Sequence, residues 1–328
     1  MIQATCIQKF KKNNKIYGYR LQDSQGNIRD VYSDPLKQAI KNGQITILNL
    51  TLTSDNRLVD TSEKQPQPES EEQQLKNYIA KCQMLGIQLK IMEIPTFCGH
   101  HCTLISESET QHIIYIPDNV TELNAQGQLV FTNQIMNLKG TIKVIGGHNL
   151  KNANSMFDSC KAQYLDLSKF DTSKVIDMSC MFAICKAQVI DLSSLNTSKV
   201  EVMHSMFELC SVKSLDLSSF DTSNVVYMFD MFEHCQAQSI NLSSFNTSRV
   251  KSMRSMFFTC RAQTLDLSSF DTHNVKDMYA MFYECQAQSI DLSSFNISSE
   301  TETKSMFKYC KSKIKATDPK ILAAYNNK

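Results

Sequence analysis

From residue 142 onward the apolar positions recur with one fixed step, the step that separates Met156 from Met181. Met156, Met181, Met206, Met231, Met256, Met281 and Met306 are related by it, and each is followed by phenylalanine. Cys160, Cys185, Cys210, Cys235, Cys260, Cys285 and Cys310 obey the same step. A fixed period in the range of roughly 20–50 residues marks a solenoid, in which one coil cannot bury its apolar face alone but stacked coils can. Two local periodicities share each unit. Ala162, Leu165, Leu167 and Phe170 lie around an alternating stretch, which predicts a short strand. Val175 follows, and from Met178 the spacing of Met178, Met181, Phe182 and Cys185 is i, i+3, i+4, i+7, which predicts one face of a short helix.

The expected fold is therefore an α/β repeat solenoid over 142–310, leucine-rich-repeat-like, with one short strand and one short helix per coil. Residues 142–159 read as a degenerate partial unit. The last unit decays, with Glu300 in place of the valine and Thr303 in place of the first methionine. In 311–328, Asp318 and Pro319 supply an N-cap and a first-turn proline for a capping helix over 320–325. Before the solenoid, 5–19 and 27–32 read as strands joined by a turn, 36–41 as a helix closed by Asn42-Gly43, and 45–53 as a further strand. Together 1–60 make a small α+β domain. Residues 61–73, rich in Glu, Gln, Ser and Pro, read as a linker. An amphipathic helix at 75–85 and alternating runs between 88 and 132 make 74–141 an N-terminal cap.

One unit reads C-x-A-Q-x-L-D-L-S-S-F-D-T-S-x-V-x-x-M-x-x-M-F-x-x. Phe220-Asp221-Thr222-Ser223-Asn224-Val225, with Leu215-Asp216-Leu217-Ser218 before it and Met231-Phe232 after, resembles the BspA-like bacterial surface-protein repeats. These are a divergent leucine-rich-repeat family, found also in mycoplasma lipoproteins. The resemblance covers 142–310, about half the chain, and implies a solenoid used for binding, often at the cell surface. Phe170 and its equivalents stand where an ordinary leucine-rich repeat has Asn or Cys.

A finer alternation lies on the repeat. Asp171, Asn196, Asp221, Asn246, Asp271 and Asn296 alternate, as do Leu165, Ile190, Leu215, Ile240, Leu265 and Ile290. A pair of coils, rather than one, is then the duplicated unit. Interleaved Asn relieves repulsion between stacked carboxylates, and Asp or Asn before Thr-Ser suits an Asx turn.

Charge removes several function classes. The 34 Lys and Arg balance 33 Asp and Glu, so no global basic field draws nucleic acid or anionic membrane. No apolar run reaches the roughly 18 residues of a membrane span. The lysines of 1–15 are not followed by an apolar segment, which predicts no signal peptide and a cytoplasmic chain. A cell-surface location is implied by the resemblance only.

Three groups carry candidate chemistry. The repeated cysteines read as a column of buried hydrophobes spaced too widely for disulfides, which suits a reducing compartment. Cys98, His100, His101 and Cys102 are a compact cluster, but adjacent histidines rarely reach one ion. The reading is a loop with a buried cysteine, no metal and no cofactor, with zinc or a cysteine nucleophile as alternatives. The third group is the solenoid surface. Asp166, Asp191, Asp216, Asn241, Asp266 and Asp291 sit between inward strand residues and face outward. Gln163, Gln188, Lys213, Gln238, Gln263 and Gln288 flank them, and Ser168 through Ser293 complete a third column. On the helix side, Tyr227, Phe229, Phe258, Tyr279, Tyr283 and Tyr309 fall outside the repeated apolar set, and aromatics anchor interfaces. Near-identical units offer no asymmetric set of acid, base and nucleophile. The expected function is a non-catalytic protein–protein interaction module with a protein partner, the strand side being the first choice of face and the helix side the alternative. A surface adhesin and a metal or enzymatic site at 98–102 are the other readings.

Overall fold

The computed structural model describes residues 69–328 except 126, and within 1–68 the residues 2–12, 15–23, 28–32, 36, 40, 45–47, 50–52 and 58–60. The chain divides into two compact units, Met1–Ser70 and Glu71–Lys328. In the first, β1 (Ile2–Lys12), β2 (Lys15–Asp23), β3 (Ile28–Tyr32) and β4 (Ile45–Ile47) form a sheet of order β3-β2-β1-β4. β5 (Leu50–Leu52) and β6 (Leu58–Asp60) form an antiparallel pair. The expected single strand over 5–19 is two antiparallel strands, with Lys12 opposite Lys15. Likewise 45–53 is divided between β4 and β5. The expected helix at 36–41 lies largely outside the described residues, as does most of the expected linker.

The second unit opens with α1 (Glu71–Met84), where Lys76 bonds Glu72 one turn earlier and Leu75 and Cys82 are buried. β7 (Lys90–Pro95), β8 (His101–Ser108) and β9 (Gln111–Ile116) run antiparallel. A one-turn helix, α2 (Thr132–Ile135), follows them. β9 pairs in parallel with β10 (Thr141–Gly146), β10 with β11 (Tyr164–Phe170), and β11 with β12 (Val189–Ile190). The change from hairpins to parallel pairing marks where the cap ends and the coils begin. At that change Gly146 has φ +89°, and a Cβ there would lie 2.3 Å from the Ile116 carbonyl oxygen. Only glycine fits. The ladder continues through β13 (Ser214–Asp216), β14 (Ser239–Asn241), β15 (Thr264–Asp266), β16 (Ser289–Leu292) and β17 (Lys313–Ala316). A second ladder of single parallel bridges runs from Glu122–Asn152 to Asp277–Glu302. The result is a β-solenoid of about seven turns. Residues 142–159, expected as a partial unit, form with Cys160 a complete coil in which Ile142, Val144, Leu150, Ala153, Met156, Phe157 and Cys160 are all buried.

The helix expected in each coil is absent from the described coils. In its place is a ribbon of successive turns. The amides of Ala153, Ser155, Phe157 and Ser159 donate to the carbonyls of Asp177, Ser179, Met181 and Ala183 in the next coil at 2.8–2.9 Å. Those of Met156, Asp158 and Cys160 close turns onto Ala153, Ser155 and Phe157 at 3.1–3.2 Å. Ser155 and Ser159 take φ of 52° and 56°, and their equivalents do so in every coil to Ser305 and Tyr309. The reason is spacing. Packed helix axes stand about 8–10 Å apart, whereas strands stack at about 4.8 Å. The ribbon-side phenylalanines, Phe157 through Phe307, stack face to face at 5.4–5.8 Å between ring centroids. A helix does not fit that step. The turn ribbon still points residues i, i+3, i+4 and i+7 inward, so Met178, Met181, Phe182 and Cys185 are all buried as expected.

One set of side-chain bonds closes a turn within each coil, and two further sets tie coil to coil. Asp171, Asn196, Asp221, Asn246 and Asp271 each accept the amide two residues on, at 2.8–3.2 Å, closing the expected Asx turns. The next residue, buried Thr172, donates its hydroxyl to the Asn196 carbonyl (3.0 Å) and accepts the Asn196 amide (2.8 Å). Thr197, Thr222, Thr247 and Thr272 repeat this onto Asp221, Asn246, Asp271 and Asn296. Ser194, Ser219, Ser244 and Ser294 donate backward to the carbonyls of Leu167, Leu192, Leu217 and Leu267. At the C-terminal end, Asp318 caps α3 (Pro319–Asn326) by accepting the amides of Lys320 (2.8 Å) and Ile321 (3.1 Å). Its other oxygen takes the Ile297 amide at 3.2 Å, and Tyr325 donates to the Ser312 carbonyl at 2.7 Å. The capping helix is thereby bonded to the last coils.

All seven repeat cysteines are free and buried. Burial pushes the Cys235 and Cys285 thiols up to about 12, and Cys260 is raised further. Thiol reagents are expected to label this column only after unfolding, since all seven sulfurs are shut away from solvent. Cys235→Ser, which buries a hydroxyl in a thiol's place, is expected to cost about 1–3 kcal/mol. Mass spectrometry of labelled native and urea-treated protein, with urea melts of the variant, measures both.

Candidate interaction surfaces

The strand face carries the acidic column in the expected orientation, but its carboxylates are already engaged. Asp166, Asp191, Asp216, Asp266 and Asp291 accept the amide two residues on at 2.9–3.1 Å. Asn241 does the same at 3.2 Å and donates its side-chain amide to Asp216 at 3.0 Å. The flanking Gln163, Gln188, Gln238, Gln263 and Gln288 are exposed. Hydrogen bonds from Ser193, Ser218 and Ser268 hold the Asp191, Asp216 and Asp266 carboxyls below their ordinary range. Ser293, and then Lys315 at 2.9 Å, hold Asp291 down to about 2. Local hydrogen bonding therefore outweighs like-charge repulsion along the column. Neutralising these residues would remove favourable interactions rather than relieve strain.

The ribbon face is different in kind. Its outward positions do not repeat, yet the fixed coil step brings them into register. His204 stacks on Phe229 at 4.4 Å, and the Arg254 guanidinium lies 4.4 Å from the Tyr279 ring centroid. These four occupy one column, one residue per successive coil. In a neighbouring column Phe258 stacks on Tyr283 at 4.6 Å, and Tyr283 meets Tyr309 edge-on at 5.4 Å. Phe229, Phe258, Tyr279 and Tyr283 are half-buried by this mutual packing. Tyr227 and Tyr309 remain 43% and 59% exposed, and Ile184 and Leu209 are exposed too. The sequence flags these aromatics singly. Writing the variable positions as columns, one coil step apart, would have shown which of them touch.

Spanning those two columns is a group that the sequence reading misses. Burial pushes the Glu233 carboxyl up to about 7, the Asp230 carboxylate being the second cause and Glu208 adding to it. Asp230 is itself raised, first by burial, while Arg254 draws both down. His234 Nε2 stands 3.6 Å from Glu233. Between pH 4.5 and 7 the folded chain holds a proton here that the unfolded chain has released, so this group makes stability fall as pH rises through that window. Glu233→Gln is expected to raise the unfolding free energy at pH 8 by about 2 kcal/mol and to leave it nearly unchanged at pH 4.5. Urea melts of both proteins across that range measure it.

The cluster at 98–102 is dispersed by the hairpin between β7 and β8. Cys102 is fully buried on the inner face of β8, where burial raises its thiol. His101 beside it is exposed, and His100 is turned toward Asn119, 3.4 Å away. Cys98 sits in the loop against the core, its sulfur 3.2 Å from the Thr96 hydroxyl. Burial pushes the Cys98 thiol up, but bonds from Thr96 and from the backbone of Glu122, Thr121 and His100 bring it to about 7. Those bonds come from a hydroxyl and from backbone, not from an imidazole that could act as its base. Among the described residues no three His, Cys, Asp or Glu side chains come together in a way that could hold a metal ion. Nor, among them, is any helix long and apolar enough to cross a membrane.

No curated protein and no solved structure matches this chain. A family model does. It matches residues 128–239 and 210–318, overlapping stretches that together take in every complete coil from β11 onward and more than half the chain. With the same coil found in the fold over those residues, the chain belongs to DUF285, a family described as a Mycoplasma protein of unknown function.

Proposed function

We propose that this protein is a non-catalytic protein-interaction module, of the BspA-like leucine-rich-repeat kind, that binds its partner through the ribbon face of the solenoid. The observation that carries this choice is the contrast between the two faces. The strand-face carboxylates serve Asx turns, coil after coil, whereas the ribbon face holds non-repeating aromatic and charged residues on a rigid repeating frame. Rigid, half-buried aromatics with exposed edges are the usual anchors of a protein interface. Tyr227 and Tyr309 are the two most exposed of them. The buried thiol column suits a reducing compartment, and the cytoplasm is the location that goes with this reading.

Two variants of the full chain, used as bait in extracts of the source cell, test the choice of face. Tyr227→Ala with Tyr309→Ala is expected to lose the partners captured by the unaltered chain. Asp191→Asn, Asp216→Asn and Asp266→Asn made together keep an acceptor for each turn, as Asn241 already does, and are expected to retain them. If the triple variant loses the partners and the tyrosine variant keeps them, the strand face is the binding surface. A stoichiometric metal on purified protein, lost in Cys98→Ala, would move the function to residues 98–102 instead.

A further inference from the structure

The two ends of the solenoid are unlike each other, and they are complementary. The C-terminal end, 304–328, holds seven lysines and one acidic side chain, Asp318. Every one of those lysines is exposed, whereas Asp318 is buried in its capping role. Lys315 is bonded to Asp291, and Lys308 and Lys328 lie over the rings of Tyr309 and Tyr325. The N-terminal end, 71–122, holds seven carboxylates and three lysines. A chain with net charge +1 thus carries a basic excess at one end of the solenoid and an acidic excess at the other.

Backbone and apolar surface point the same way. Among the described residues β7 pairs only with β8, and β17 only with β16, so each end of the solenoid finishes in a strand with one open edge. Open edges are templates for pairing with another chain. β7 is antiparallel to β8 and β8 to β9, so β7 runs in the direction of β9 and of every coil strand after it. The edges of β17 and β7 can therefore meet in the same parallel sense as neighbouring coils. The β7 end is also poorly finished for a solvent-facing cap. Met84, Leu85, Ile87, Ile91, Met92 and Phe97, all within 84–97, are each at least 39% exposed. Terminal caps of solenoids ordinarily turn a polar face outward.

We propose that copies of this chain associate head to tail, the basic C-terminal end and β17 edge of one solenoid docking on the acidic, apolar β7 end of the next. The contact is heterologous, so a docked pair keeps one free end of each kind and the assembly grows as a filament or closes as a ring. Lysine stems cover the exposed apolar side chains while their ammonium groups meet the carboxylates. This inference does not depend on which lateral face binds a partner.

Sedimentation velocity of the full chain tests it. Association is expected to increase with protein concentration and to weaken by about tenfold or more between about 50 mM and about 500 mM salt. A tail variant, Lys311→Ser with Lys313→Ser, and a head variant, Ile91→Lys with Glu93→Lys, are each expected to be monomeric with an unchanged thermal midpoint. Each still has one working end of opposite kind, so mixing them is expected to give a 1:1 dimer that grows no further. A chain that stays monomeric at every concentration in low salt overturns the proposal, and the β17 lysines then act as guards against edge pairing. Association that persists in both variants, or a mixture that stays monomeric, overturns it equally.

Discussion

Asn124→Ala is expected to lower the unfolding free energy of the solenoid by about 3–4 kcal/mol. Asn124 lies in the cap, is fully buried, and uses every polar atom of its side chain. Its side-chain nitrogen donates to the Thr132 hydroxyl (2.8 Å) and to the Asn154 carbonyl (2.9 Å). Its oxygen accepts the amides of Phe131 (3.1 Å) and Thr132 (3.3 Å), at the start of α2. Thr132 in turn donates to the Ser155 carbonyl at 2.5 Å. One side chain thus joins the cap to the first coil, at the place where the coil-to-coil ladders have no earlier coil to bond. Alanine strands two amides and a carbonyl in the core and leaves a cavity. Aspartate is no remedy, because it loses both donors and buries a charge. Urea melts followed by circular dichroism give the loss. Hydrogen exchange should rise first at the amides of Phe131 and Thr132, which lose their acceptor. A loss below about 1 kcal/mol would mean that water or a rearranged loop replaces the side chain.

Asn124 also shows where the sequence stops being legible. Residues that repeat can be placed from their period. Leu165, Met178, Met181, Phe182 and Cys185 are buried where expected, and Asp318-Pro319 begins the capping helix where expected. Residues that occur once cannot, and Asn124 is one of them. Its role depends on a contact with Asn154, which lies beyond β10 in the first coil. The ribbon reads as a helix for a different reason. Both conformations bury i, i+3, i+4 and i+7, so periodicity alone does not separate them. The distinguishing quantity is the coil step. It is available in principle, because a strand column and a helix column cannot both advance by about 4.8 Å per coil without curving the stack. The surface is legible as single residues only. Glu233, Asp230 and Arg254 are ordinary residues in the chain and interact because two turns of the same ribbon lie side by side.

The threonine column gives the second large effect, and substitution in its middle and at its last position acts through opposite changes. Thr222→Val keeps the shape of a fully buried side chain but removes the hydroxyl that both donates to the Asn246 carbonyl (2.9 Å) and accepts the Asn246 amide (2.8 Å). The loss is expected to be about 2–3 kcal/mol, from one amide and one carbonyl left unpaired between coils. Thr222→Ser keeps both bonds and loses only a buried methyl, so it is expected to cost about 1 kcal/mol. At the last member of the column the sequence has Ile297 instead. No coil follows it with an Asx backbone to bond, and its own amide is taken by Asp318. Ile297→Thr, which restores the repeat's consensus residue, is therefore expected to destabilise the chain by about 1–2 kcal/mol, through a buried hydroxyl with no partner and lost apolar burial. Chemical melts of the three variants side by side measure the set. If Ile297→Thr proves stabilising, the column is held by threonine's backbone preference rather than by its hydroxyl, and the ladder is not what joins the coils.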